Sequence, residues 1–308
     1  MTANDKEHAH ETVMLEEAVD ALVTDRDGLY LDATFGRGGH SRGILKQLGA
    51  SGRLIALDRD PEAIKSAQHM VKEDHRFRVQ QSDFSQLENW LDGEHVSGVL
   101  MDLGVSSPQL DRAERGFSFQ NDGPLDMRMN PDSGISAANW IANTGEADMA
   151  AVLREYGEER FARRIASAIC RHRAEQAITR TGELSDIVRA AIPAWEKGKH
   201  PATRSFQAIR IAVNDELGEL RLALEHAYRA LHITGRLVVI SFHSLEDRIV
   251  KRFLRQKANP KQPPKRLPVP SEPPSMRLIG KPVKATPAEV QRNPRSRSAV
   301  LRVAEKLL

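Results

Sequence analysis

Four carboxylates stand where apolar runs end: Asp32 after Leu29-Tyr30-Leu31, Asp58 after Leu54-Ile55-Ala56-Leu57, Asp83 just beyond Phe77 to Gln81, and Asp102 after Val99-Leu100-Met101. One such aspartate is an ordinary helix cap or turn residue. Four at the ends of successive strands read as a site, because open parallel sheets bind ligands beyond the carboxyl ends of their strands. The first aspartate leads into Ala33-Thr34-Phe35-Gly36-Arg37-Gly38-Gly39-His40-Ser41. Glycines there permit positive φ and a close approach of bare amides, and the helix that follows offers its positive end. Asp58 lies about 20 residues further on, where a carboxylate grips the two hydroxyls of an adenosine ribose. NAD and S-adenosylmethionine both suit that pairing. The dinucleotide fingerprint, however, wants glycines at the first, third and sixth places, and Gly36 to Ser41 puts serine at the sixth, which disfavours a pyrophosphate and hence a nicotinamide dehydrogenase.

The elements that must position these residues follow from periodicity. Strands are expected at Leu29–Asp32, Arg53–Asp58, Phe77–Gln81 and Val99–Leu103, with helices over His10–Val23, about Ser41–Leu48, and from Pro61 through Ala63, Ile64, Ala67, Met70 and Val71. Strands alternating with helices imply parallel pairing with right-handed crossovers. Beyond Val105 the alternation stops, and Glu146–Tyr156, Arg160–Gln176 and Glu183–Ile192 read as helices of an insertion. Its opening, Arg115 to Met129, has no regular period and either lines a base-binding cleft or tucks Phe117 and Phe119 into a core. A helical pattern from Thr203 to Leu231, long or broken, returns the chain to the sheet, with Gly235 as its stop. Leu237–Phe242 is then a fifth strand, Ser244 caps the next helix through Ser244-Leu245-Glu246-Asp247, and His243 reads as a turn residue. Ser298–Glu305 alternates as a last strand at the sheet edge.

Composition bounds the class. With 308 residues, 40% of them hydrophobic, the chain can bury a core of more than one domain. A single cysteine, Cys170, excludes an internal disulfide framework and a cysteine-rich zinc site, and no His/Asp/Glu cluster has metal-site spacing. The polar segment Met1 to Glu11 and the absence of about 18 consecutive apolar residues argue against a signal peptide or membrane span, so a cytoplasmic protein is expected. The net charge of +3 conceals an asymmetry, since residues 251–308 hold 15 Lys+Arg against 3 Asp+Glu while residues 1–250 carry a balance of −9. Ten of the 16 prolines fall between Pro260 and Pro294. Residues 258–290 therefore read as a basic, proline-rich extended segment, and Lys261, Lys265 and Arg266 there, with Arg163, Arg164 and Arg171 of the insertion, as phosphate contacts.

Seven motifs in order, Asp32 to His40, Met101 to Gln109, Arg115 to Phe119, Gly123 to Met129, Tyr156 to Arg160, His200 to Arg204 and Ile240 to Asp247, resemble the bacterial small-subunit ribosomal RNA cytosine-N4 methyltransferases, the MraW or RsmH family. The likeness runs from His10 to about Arg255 and resumes at Asn293 to Ser298. It implies an α/β fold, a class I (Rossmann-like) methyltransferase sheet over residues 1–105 and 205–308, interrupted by an all-helical substrate-recognition domain over residues 106–204. It further implies S-adenosyl-L-methionine as cofactor, held by Gly38, Gly39, His40, Asp58, Phe84, Asp102 and Gln109. The implied substrate is a cytidine in the decoding region of small-subunit ribosomal RNA. A non-catalytic assembly factor on the same scaffold is the other reading, opposed by the intact loop and by Ser107-Pro108. Oligomeric state is left open, a homodimer included.

For such a reaction the methyl group is expected to pass directly to the cytosine amine, with no covalent enzyme intermediate. Acceptors against the amine N–H bonds favour the attacking tetrahedral nitrogen. The turn from Asp102 to Pro108 resembles the acidic-or-Ser-Pro-Pro-aromatic turn of amino-methyltransferases, which makes Asp102, Ser107 and Pro108 the catalytic candidates. Gln109 replaces the aromatic, so stacking on the base falls to Phe117, Phe119 or Trp140. Cys170, on an apolar helical stripe with Ile165, Ala168 and Ile169, reads as an inert buried thiol.

Overall fold

The computed structural model describes residues 11–194, 200–260 and 272–308. The expected helix start at His10 and the cations Lys261, Lys265 and Arg266 lie outside the described residues. The chain forms two compact units, one of Met1–Gly104 with Leu217–Leu308 and one of Val105–Glu216.

The first unit begins with α1 (Leu15–Leu22), followed by β1 (Leu29–Asp32), α2 (Gly39–Gln47), β2 (Arg53–Asp58), α3 (Pro61–Glu73), β3 (Phe77–Gln81) and β4 (Val96–Asp102). α1 starts at Leu15 because Met14 takes a left-handed backbone, with φ of 51°. Asp60 caps α3 by accepting from the Glu62 N–H, and Pro61 occupies the first helical turn, where its missing donor is not needed. The second unit holds α4 (Ser107–Asp111), α5 (Ala137–Asn143), α6 (Glu146–Gly157), α7 (Ala162–Glu175), α8 (Thr181–Ala191) and α9 (Thr203–Asn214). The chain then returns through α10 (Glu216–Ala230), β5 (Leu231–Ser241), α11 (Ser244–Ala258), β6 (Met276–Leu278), β7 (Val283–Lys284), α12 (Pro287–Arg292) and β8 (Val300–Lys306).

The strands make one sheet in the order β3-β2-β1-β4-β5-β8-β6, with β7 also paired to β8. The first five are parallel, in register at Leu31 with Ile55 and Val99, and at Met101 with Val239. β8 runs antiparallel to β5, and β6 antiparallel to β8. Alternation along each strand sorts side chains between two cores. Tyr30, Leu54, Leu100, Val238 and Ile240 face α1, α2 and α3, whereas Leu31, Leu57, Val99, Met101 and Val239 face α10 and α11. This three-layer arrangement is the Rossmann-like α/β sheet expected from the motifs.

Several expected boundaries move, each for a local reason. The helical pattern from Thr203 breaks at Asp215, whose φ is 46°, and Arg210 spans the break with two 2.7 Å bonds to Glu216. α9 shares its core residues Phe206, Ala208 and Ile209 with α6 and α7, so the insertion runs to Glu216, past residue 204. α10 ends at Ala230, ahead of Gly235, and β5 already starts at Leu231; Thr234, with φ of 71°, and Gly235 form an irregularity against β4, which pairs Val96 with Leu231 but Gly98 with Arg236. The cap of α11 is His243 and not Ser244, because Glu246, three residues on, closes the box with the His243 backbone. β8 is interior to the sheet and not its edge, because part of the proline-rich segment folds against it. Met276 is buried at the start of β6, and Pro287 opens α12 with Thr286 as its cap. Residues 272–290 are thus not merely extended.

The core of the second unit is built from Ile141, Met149, Leu153, Ile165, Ile169, Leu184, Val188 and Ile209. The irregular stretch from Arg115 is fastened to it: Arg115 donates to the carbonyls of Arg128 and Met129, and Asn214 bonds both Met127 and Met129. Phe117, Leu125, Met127 and Met129 are buried, which is the core alternative for those side chains. Phe119 is partly buried, stacked on His200 at 4.3 Å and edge-on to Phe206.

Candidate cofactor and catalytic site

The loop after β1 is held by its own neighbours before any ligand is considered. Phe35 N–H donates to the Leu57 carbonyl at 2.9 Å, and Gly36 N–H to Asp58 Oδ2 at 2.7 Å. From the other side, Asp102 N–H donates to Thr34 Oγ1 at 2.7 Å. β2 and β4 therefore clamp the loop of the strand between them.

Asp32 has no accessible surface and accepts from Ser41 Oγ at 2.6 Å and from Thr34 N–H at 3.1 Å. It braces the loop from inside, and burial raises its carboxyl above the ordinary value despite these bonds. Asp58 is partly buried and also accepts from Asp60 N–H at 2.9 Å. Burial pushes its carboxyl up to about 6, against the two amide bonds and with help from the charges of Asp60 and Asp32. Asp83 is spent on Arg59, at 2.9 Å, so the row of four carboxylates is not uniform.

Asp102 lies at the end of β4. Burial, then the negative charges of Asp32 and Glu246, hold its carboxyl well above the usual range. Its Oδ2 lies 3.6 Å from His40 Nδ1, while its Oδ1 is buried with no hydrogen-bond partner. A buried carboxylate oxygen without a donor is costly, and this one stands ready for a donor from a ligand. His40 is buried and its Nε2 lies 3.1 Å from the Val13 carbonyl. A carbonyl only accepts, so Nε2 carries a proton and Nδ1 faces Asp102.

The glycines divide by role. Gly38 has φ of 72° and begins α2 as its cap, and a Cβ there would meet the Phe35 ring at 2.6 Å. Gly39 is small for a reason the sequence hides, since a Cβ would lie 1.7 Å from Thr12 Oγ1. Phe84, beyond β3, packs its partly buried ring on the core that includes Leu57 and Leu87. Gly38, His40, Asp58 and Asp102 thus meet around one loop in the first unit. Ser107, Pro108 and Gln109 belong to the second unit, where Ser107 and Pro108 open α4 and Gln109, buried, accepts from Ser106 N–H at 2.9 Å. Thr12, Thr34 and Ser41 escaped the sequence reading of the site; Thr34 and Ser41 sit inside the loop motif, but nothing local marks Thr12.

Among the described residues no helix is long and apolar enough to cross a membrane. Among known proteins this chain is similar to ribosomal RNA small subunit methyltransferase H of Nitrosococcus oceani, which is 54% identical over 312 residues, covering 98% of this chain and 98% of that protein. Two solved structures show a more distant likeness. An rRNA methylase from Streptococcus thermophilus is 10% identical with a TM-score of 0.42, covering 95% of this chain and 93% of its own. The N-methyltransferase NodS from Bradyrhizobium japonicum is 9% identical with a TM-score of 0.42, covering 96% and 93%. Likenesses of that degree transfer nothing to this chain. The MraW methylase family matches residues 7–307, which takes in both units, and the chain belongs to that family.

Proposed function

We propose that this chain methylates the exocyclic N4 amine of a cytidine in the decoding region of small-subunit ribosomal RNA, using S-adenosyl-L-methionine, in the cytoplasm. The observation that carries this reading is the 54% identity to ribosomal RNA small subunit methyltransferase H over nearly the whole of both chains. The site fits the cofactor: a carboxylate at the end of β2 for ribose hydroxyls, a glycine loop at a helix start, and a buried acceptor, Asp102 Oδ1, that lacks a donor. Gly38, Gly39, His40, Asp58, Phe84, Asp102 and Gln109 are the residues we assign to holding it. The cofactor supplies an electrophilic methyl group on a sulfonium.

The chain's own task is to make a poor nucleophile attack. Asp102 would accept an N–H bond, either of the cofactor's ammonium or of the cytosine amine; Ser107 and Pro108 are assigned as the other catalytic residues on the likeness of their turn to that of amino-methyltransferases, the Pro108 carbonyl already accepting from Arg112 N–H at 3.0 Å within α4. Such preorganised acceptors act where water is excluded, and positioning supplies much of the remaining rate. Transfer of the methyl group would break its bond to sulfur as the N–C bond forms, and the amine proton that must then leave would pass to Asp102, a carboxylate whose proton affinity burial raises. Cys170, half-buried on α7 against the helical core, takes no part, so no covalent enzyme intermediate forms. Mass spectrometry of nucleosides from small subunits incubated with the protein and S-adenosylmethionine is the test. N4-methylcytidine is expected, and a cytidine methylated at ring carbon 5 would overturn the mechanism.

A further inference from the structure

Residues 11–14 form a short strap behind the glycine loop, and two of its contacts bear on that loop. Thr12 fills the space where a Gly39 side chain would stand, the Val13 carbonyl holds His40 Nε2, and Met14, with its left-handed backbone, starts α1. The strap is itself held from the far end of the chain. Met14 N–H donates to Glu289 Oε1 at 2.8 Å, in a buried bond between residues 275 positions apart. Glu289 is 6% exposed, and its own N–H donates to Thr286 Oγ1 at the start of α12. Around this bond, Arg292 grips the Glu11 carboxylate and Asn293 Nδ2 donates to the Glu11 carbonyl at 2.9 Å. α12 is anchored in turn, since the chain continues from it through the buried Ser296 and Ala299 into β8.

A carboxylate buried this deeply needs a reason, and here its Oε1 accepts from a backbone N–H that no helix partner can satisfy. We propose that Glu289 is a positioning residue for the cofactor loop: by fixing Met14 it keeps Thr12 against Gly39 and the Val13 carbonyl on His40, and so sets the geometry of His40 against Asp102. The loop of β1 is then shaped from two sides, by β2 and β4 in front and by α12, through the strap, behind. This inference rests on the reading of that loop as the S-adenosylmethionine site.

Binding of S-adenosylmethionine to the full-length wild-type protein is measured first by calorimetry, and its absence overturns the cofactor reading itself. With wild-type binding in hand, Glu289→Ala is expected to raise both Kd and KM for S-adenosylmethionine about tenfold while kcat at saturating cofactor stays within about twofold, because a buried charged acceptor is lost but no reacting group is. Glu289→Gln keeps a carbonyl oxygen for Met14 N–H and restores affinity to within about twofold. In the ligand-free protein, the hydrogen-bonded His40 Nε2 proton should be visible by NMR in wild type and Glu289→Gln and lost in Glu289→Ala. A folded Glu289→Ala protein with wild-type affinity overturns the role of Glu289 and leaves the cofactor reading intact. Should that variant not fold, Arg292→Ala at the exposed end of the clamp carries the test, with about threefold weaker binding expected and unchanged affinity overturning the proposal.

Discussion

The two units hold their unpaired charges in opposite ways. In the sheet unit, Asp58 and Asp102 are sunk at strand ends, with carboxyls raised by burial and held by fixed amides or by His40. In the helical unit, Arg163, Arg164 and Arg171 of α7 are exposed and meet no carboxylate among the described residues. Desolvated groups at fixed positions act over one hydrogen bond and are little screened by salt; solvated cations act over a Debye length and are screened strongly. On the proposed function, the sheet unit would carry short-range chemistry on a small molecule and the exposed arginines of α7 would capture a polyanion.

Substitutions can separate these roles. The largest effect is expected for Asp102→Ala, which removes a preorganised acceptor and should cut methyl transfer on small subunits by about a hundredfold or more, with affinity for the particle unchanged in filter binding. An equal loss of particle affinity would erase the contrast. Next, replacing Arg163, Arg164 and Arg171 together by Glu should weaken particle binding and lower the slope of log K against log salt by about 2 to 3, while calorimetry shows an unaltered S-adenosylmethionine affinity. If the salt slope stays put, α7 is only a solvated face.

Asp58 sharpens the contrast through pH. Asp58→Ala should weaken S-adenosylmethionine binding about tenfold or more, since a charge-assisted acceptor for two hydroxyls is lost. In wild type, a carboxyl with a folded-state value of about 6 is protonated below it and ionised above, so affinity should rise as pH rises through 6, by about tenfold from pH 5 to pH 7.5. The sign for ligand-free stability is opposite: a raised carboxyl stabilises the fold below its unfolded value near 4, and that contribution is lost as pH rises through 6. Binding that is flat across this range would remove Asp58 from the ribose. The smallest effect is expected at Cys170, where serine should leave methyl transfer within about twofold, because a half-buried thiol on the α7 stripe loses little by that exchange.

What could be read from the sequence was what is local. β1, β2 and β3 match their apolar runs to the residue, and Asp58 and Asp102 announce themselves by following such runs. The cap at His243 was missed because Ser244 is intrinsically the better cap and only the reach of Glu246 decides between them. The interior place of β8 depends on β6, a strand of 3 residues set after Pro273 and Pro274, too short to signal itself. Gly39 was read as making room for a ligand, yet its neighbour is Thr12; contacts between segments far apart in sequence leave no periodic trace. The inward role of Asp32 was equally hidden, because an aspartate after an apolar run looks the same whether it faces solvent or Ser41.

The interruption of the sheet bears on how the molecule is made. β4 is buried along Val96 to Met101, and its β5 partner is encoded only after the whole helical unit. A nascent chain that has emitted β1 to β4 therefore carries an apolar strand with a bare edge while the helical unit is still being synthesised. Helices dominated by local contacts fold quickly, whereas pairing across such a separation is slow. The half-built sheet is then the aggregation-prone species, and its exposed β4 edge, not any part of the finished protein, is where a chaperone would have the most to protect.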